Sequence, residues 1–128
     1  MGNKEKGAAS ERELFHMFSE SGFKCVRVAG SGLMQDTACD LIIGKFRRKY
    51  AIEAKTCKSE KRYLEPKQIE EFLIFSEIFG LTPIVAVKFN RKGWFFLKPK
   101  DIERTKKGLA ISLYTARKKG KSFEQFIK

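Results

Sequence analysis

The chain has a single histidine, a single tryptophan and three prolines among 128 residues, and its 15 acids are outnumbered by 27 lysines and arginines. It has no apolar run near the roughly 18–20 residues that a bilayer crossing requires, so no membrane-spanning segment is expected. The start, Met1–Lys6, is charged with no apolar stretch behind it, and does not read as a secretory signal. The three cysteines, Cys25, Cys39 and Cys57, are odd in number and form no CxxC. They suggest reduced thiols in a cytoplasmic protein, not a disulfide framework or a zinc site. His16 has no partner motif and is assigned no catalysis.

What is present is enough apolar material for a core, 42 % of the residues, in a length that suits one domain spanning 1–128. The net charge of +12 points to a polyanionic partner. An anionic membrane surface and an acidic protein are the alternatives. The charge is uneven. Residues 1–85 carry 14 bases and 12 acids, whereas residues 86–128 carry 13 bases and 3 acids. Blocks such as Arg117-Lys118-Lys119-Gly-Lys121 suit phosphate contacts. For residues 117–128, a loose solvated basic tail is the competing expectation.

Apolar spacing predicts a helix from Ala8 to about Ser21, with Leu14, Phe15 and Phe18 on one face and Gly22 ending it. Phe23–Val28 reads as a strand, Ala29–Gly32 as a loop, and Leu33–Thr37 as its continuation. Asp40–Ile43 and Tyr50–Thr56 read as strands. Pro66 opens a second helix that stops at Gly80. Ile84–Phe89 is a buried strand that turns at Asn90–Gly93 into Trp94–Leu97. A strand near Ala110–Leu113 and a helix near Phe123–Ile127 are expected beyond Pro99. This order describes an α/β fold: one mixed sheet flanked by helices.

The acids then fall into a pattern. Glu11 precedes Leu14 by three residues and Phe18 by seven, which turns it toward the inward side of the first helix. Asp40 opens an apolar strand. Glu53 and Lys55 share one face of a central-looking strand. Singly, each has an ordinary explanation: a first-turn acid, a turn cap, a cross-strand ion pair. Together, inward carboxylates repel unless a cation sits among them. A hard divalent ion such as Mg²⁺, with Mn²⁺ as a substitute, answers that need. It would acidify a water beside a scissile phosphate, with Lys55 steadying that water or the developing charge.

The spacing Asp40-x12-Glu53-Ala-Lys55 resembles the PD-(D/E)xK nuclease signature. Around it stand Gly7-Ala-Ala-Ser-Glu11-Arg12-Glu13-Leu14, Val26-Arg27-Val-Ala-Gly30-Ser31, Asp40-Leu-Ile, Phe75-Ser-x-x-Phe79-Gly80 and Ala86-Val-Lys88-Phe89. In that order they resemble the archaeal Holliday junction resolvases of the Hjc type, over residues 4–97. The resemblance implies a restriction-endonuclease-like fold and a homodimeric, Mg²⁺-dependent endonuclease cutting four-way DNA junctions symmetrically. It implies Asp40, Glu53 and Glu11 as metal-binding acids, and Lys55 and Ser31 as further catalytic residues. Lys4, Lys6, Arg12, Arg27 and Lys58 are the expected DNA contacts. The stretch Leu33–Cys39 is longer than the family pattern.

The second helix argues separately for a partner. Ile69, Phe72, Phe75 and Phe79 form one apolar stripe, while Ile74, Ile78 and Leu81 form another. One covers the sheet and the other needs a surface, most simply a second copy. The resemblance places Phe72, Phe75 and Phe79 at that interface. The C-terminal segment of the same chain is the alternative cover. Trp94, Phe95 and Phe96 alternate along a strand and are better core than base-stacking platform. Other readings of the whole are a nickase or flap nuclease of the same fold, a non-catalytic DNA-binding module, and a basic ribosome-associated protein. The last leaves the inward acids unexplained.

Overall fold

The periodicity of Leu14 and Phe18 is satisfied by a helix lying on a sheet. The computed structural model describes residues 3–28 and 39–128, with side chains from Gly7 onward. Helix α1 runs Asn3–Glu20, beginning earlier than the expected Ala8. The polar residues before Ala8 carry no apolar periodicity, yet are good helix formers. After the turn at Gly22 come strands β1 (Lys24–Arg27), β2 (Leu41–Lys45) and β3 (Arg48–Cys57). Strand β4 (Lys61–Leu64) and helix α2 (Pro66–Phe79) follow, then β5 (Thr82–Phe89) and β6 (Gly93–Leu97). A short 3₁₀ turn at Pro99–Asp101 leads to β7 (Glu103–Thr105), β8 (Gly108–Ser112), α3 (Leu113–Lys119) and α4 (Phe123–Ile127).

The main sheet has five strands in the order β1-β2-β3-β5-β6. Its pairs are antiparallel except β3 with β5, which run parallel because α2 carries the chain back across the sheet. Pro66 opens α2 and Gly80 closes it in the left-handed conformation at φ 69. A second sheet, β4-β8-β7, has three strands. Sequence reading missed β4 and β7. Both are short and polar, and they become strands by pairing with β8, a contact that no local pattern records.

Alternation along the central strands sends side chains into two cores. Leu41, Ile43, Ile52, Ile84, Trp94 and Phe96 pack with Leu14 and Phe18 of α1 and Phe126 of α4. Ala51, Val85, Val87, Phe89 and Leu97 pack on the other face with Ile69 and Phe72 of α2, Ile111 and Leu113. Trp94 and Phe96 are buried, as expected of core residues. Cys39 is buried too, and burial pushes its thiol up to about 12. His16 is exposed, with its ring edge-on to Phe15.

Two expectations change. Phe72 is fully buried inside its own chain, because its turn of α2 faces the sheet, so it cannot reach a partner. Residues 117–128 are not a loose tail. Lys121 bridges to Phe96 through reciprocal backbone hydrogen bonds, and Phe126 is buried against the Phe96 and Tyr50 rings. Arg48 then donates to the carbonyl oxygens of Phe126 at 2.6 Å and Ile127 at 2.9 Å. It thereby holds the last turn of α4, where a cation is electrostatically favoured.

Candidate active site

Asp40 lies immediately before β2, and its main chain already belongs to the ladder. Its N–H donates to Ile52 O and its carbonyl accepts from Val28 N, both at 2.9 Å. Its carboxylate Oδ2 accepts the N–H of Ala54 at 2.8 Å, which fixes the side chain against β3. Glu53 is 3 % exposed on the face that α2 covers. Lys55, two residues on and on the same face, places Nζ 3.3 Å from Glu53 Oε2. The same Nζ donates to Gln68 Oε1 of α2 at 2.8 Å. One acid is thus aimed by backbone, and the lysine by a carboxylate and an amide.

Burial dominates the electrostatics. It raises Asp40 from 3.8 to about 6, and the charge of Glu11 adds to the rise, while the Ala54 N–H, Lys55 and Arg27 oppose it. Burial likewise raises Glu53 from 4.5 to about 7, with Asp40 and Glu11 adding and Lys55 opposing. Two carboxylates resisting ionisation side by side form a site short of positive charge. They open onto a cavity of about 860 Å³ whose rim includes Lys58, Lys61, Arg62, Tyr63 and Arg91.

Glu11 also lines this cavity, but it comes from α1, on the opposite layer of the sheet. Its Oε1 is paired with Arg27 Nε at 3.2 Å. Among the described residues no three His, Cys, Asp or Glu side chains are grouped to hold a metal ion. Glu11, expected as a metal-binding acid, thus stands at the rim engaged with a cation, and its charge still acts on both Asp40 and Glu53.

A family profile described as archaeal Holliday junction resolvase (Hjc) matches residues 2–128. The chain belongs to this resolvase family. It is 37 % identical over 108 residues to the crossover junction endodeoxyribonuclease Hjc of Archaeoglobus fulgidus, covering 84 % of this chain and 79 % of that one. It is 35 % identical over 127 residues to the protein of the same name from Methanocaldococcus jannaschii, covering 93 % and 92 %. The solved structure of the Archaeoglobus fulgidus Hjc, a Holliday junction resolvase, superposes with a TM-score of 0.86 at 31 % identity. That match covers 95 % of this chain and 100 % of the other. The mixed α/β architecture expected from the resemblance is thereby that of a resolvase.

Within the resolvase fold, Asp40, Glu53 and Lys55 come together as expected, and Glu11 stands beside them. Arg12 is exposed on α1, Arg27 is tied to Glu11, and Lys58 stands exposed on the rim. The side chains of Lys4 and Lys6, and Ser31 altogether, lie outside the described residues. Sequence reading missed Gln68, Arg62 and Arg91. Gln68 occupies the first turn of a helix far along the chain, and nothing local connects it to Lys55. Arg91 follows the buried strand β5 at a tight turn, which is a signal for a residue projected from the sheet end. Glu13, on the same helix as Glu11, accepts from Lys88 Nζ at 2.6 Å and Trp94 Nε1 at 3.2 Å.

Proposed function

We propose that this protein, acting as one nuclease domain over residues 1–128, resolves four-way DNA junctions by nicking two opposed strands symmetrically. The observation that carries this reading is the Asp40–Glu53 pair: two carboxylates raised by burial, beside Lys55, facing a cavity with a cationic rim. The donor set fits Mg²⁺, or Mn²⁺ in its place. Such ions take one or two protein carboxylates and keep several waters, and here Asp40 and Glu53 would hold the ion. When bound, it supplies an acidified water and neutralises charge on the scissile phosphate.

The chain's own residues do the rest. The Ala54 N–H keeps the Asp40 carboxylate turned toward Glu53's face of the sheet. Lys55, steered by Gln68, hydrogen-bonds the attacking water or the phosphate oxygen on which charge grows. Lys58, Lys61, Arg62 and Arg91 grip the phosphodiester backbone, and Arg12, Arg27, Lys4 and Lys6 extend that track. Glu11 holds Arg27 in place until phosphate competes for it. The family resemblance adds Ser31 as an assisting residue.

Two symmetric nicks require two sites, and α2 supports a second copy. Ile74, Ile78 and Phe79 are 52 %, 74 % and 63 % exposed, an apolar surface continued by Phe75, whose ring lies 4.5 Å from that of Phe79. We assign the homodimer interface to this surface, with Phe75 and Phe79 but without Phe72. Among the described residues no helix is long and apolar enough to cross a membrane. We propose that the protein works with its DNA in the cytoplasm.

The test is cleavage of an immobile four-way junction beside a linear duplex of matching sequence, with Mg²⁺ or with EDTA. Paired symmetric nicks in the junction alone, dependent on Mg²⁺, are expected. Equal cutting of both substrates overturns junction selectivity, and binding without cutting overturns the nuclease reading.

A further inference from the structure

The β2–β3 hairpin ends at Phe46, far from the acidic site. Lys45 pairs with Arg48, leaving a two-residue turn, Phe46-Arg47. Phe46 has φ 56 and is 96 % exposed. Of the two turn residues, only this one has positive φ, the arrangement of a type II′ turn, whose first position is ordinarily glycine. A lone exposed phenylalanine is common enough on protein surfaces. An exposed phenylalanine in a left-handed turn position is not, because the bulky side chain is disfavoured there and asparagine or glycine would relax the backbone. Turn geometry and apolar burial both argue against the residue that is present.

Its surroundings indicate what it meets. Lys24, opposite Gly44 on the neighbouring strand, and Lys45, Arg47, Arg48 and Lys49 surround the tip, and residues 44–49 contain no acid. Two of these cations brace the hairpin. Lys45 Nζ reaches Ser21 O at 3.5 Å, and Arg48 clamps the end of α4. Arg47 and Lys49 are exposed and make no side-chain hydrogen bond or ion pair among the described residues. An aromatic ring on a braced tip, flanked by uncommitted cations, is how proteins stack on a base while holding its phosphates.

We propose that Phe46 is a DNA-binding element that stacks on an exposed base-pair face of the substrate, with Arg47 and Lys49 on the adjoining phosphates. Asp40 and Phe46 stand at opposite ends of β2, about 20 Å apart along the strand, or about six nucleotides of DNA. The tip therefore reads the substrate away from the cutting point. An intact duplex covers its base faces by stacking and exposes them only at an unstacking cost. An opened branch point presents them already, so the tip favours branched over linear DNA. The proposal rests on the junction-resolving reading given above.

Equilibrium binding to a four-way junction and to a linear duplex tests it, in Ca²⁺ and with all helix ends closed by hairpins. Phe46→Asn suits the left-handed turn, and a melting curve verifies its folding. It is expected to weaken junction binding at least fivefold while duplex binding changes less than twofold. Phe46→Trp is expected to keep the parent's preference. The double variant Arg47→Ala with Lys49→Ala is expected to weaken both substrates and flatten the salt dependence by about one to two units of slope. Junction binding unaffected by Phe46→Asn, or an equal loss on both DNAs, overturns the tip proposal alone. A parent protein without preference for the junction overturns the junction reading and the tip proposal together.

Discussion

Glu53 is a carboxylate that the fold holds in a place where ionisation is disfavoured. Its pKa and that of Asp40 are higher folded, about 7 and about 6, than their ordinary values of 4.5 and 3.8. A carboxyl with a raised folded pKa binds its proton more tightly in the folded state. Between about pH 4 and 7 the folded protein therefore carries the extra protons, and this pair's contribution to stability falls as pH rises through that window. Above it both groups are charged and the full cost is present. A divalent cation relieves that cost only where the pair is ionised. Mg²⁺ is thus expected to raise the melting temperature more at pH 8 than at pH 5, by calorimetry on the parent protein. Glu53→Gln is expected to melt higher than the parent in EDTA at pH 8, to lose the Mg²⁺ shift and to cut no junctions. An Mg²⁺ shift of equal size at both pH values contradicts this account.

Helix α2 shows how far a pattern along the chain resolves an element. Its two apolar stripes were legible from spacing, and so were its ends, through Pro66 and Gly80. Which stripe faces the sheet was not legible, because Phe72 and Phe79 look equivalent until the helix is rotated against Val85, Val87 and Phe89. The two ends of the same stripe now predict opposite behaviour. Phe72→Ala removes a fully buried ring and is expected to cost about 3–5 kcal/mol of unfolding free energy by denaturant titration. Ile78→Asp changes a side chain that is 74 % exposed and is expected to leave the fold intact while yielding monomers in sedimentation. A stable dimer of Ile78→Asp moves the interface off α2. Short polar strands mark the other limit. Strand β4 carries Arg62 and Tyr63 to the cavity, yet Lys61–Leu64 has no alternation strong enough to declare itself.

At the scale of the molecule, the excess charge is distributed by the fold rather than by chain position. The first 85 residues are nearly balanced in charge, but the cavity rim gathers Lys58, Lys61 and Arg62 from one segment and Arg91 from the hairpin after β5. On the proposed reading these cations meet phosphate and carry no base information. Replacing Lys58 and Arg91 together by alanine is expected to weaken junction binding similarly for unrelated arm sequences. It should also flatten the slope of log affinity against log salt by about two units, read from titrations at several salt concentrations. A sequence-dependent loss would mean that one of them reads a base edge. Of the basic residues near the C-terminus, Arg117, Lys118 and Lys119 belong to α3 and Lys121 bridges to Phe96, while Arg48 of the far hairpin anchors α4 at Phe126 and Ile127.

The sequence by itself determined the helix and strand periods of the main sheet and the acid spacing from Asp40 to Lys55. These depend on residues close together in the chain, where side-chain direction follows from backbone geometry alone. The tertiary structure decided everything that joins distant segments. It brought Gln68 to Lys55, tied Glu11 to Arg27 at the rim, turned Phe72 inward and folded the C-terminal helices onto the sheet. Each of those pairings follows from the order in which strands lie side by side, and a contact between residues many positions apart leaves no period in the chain to be read.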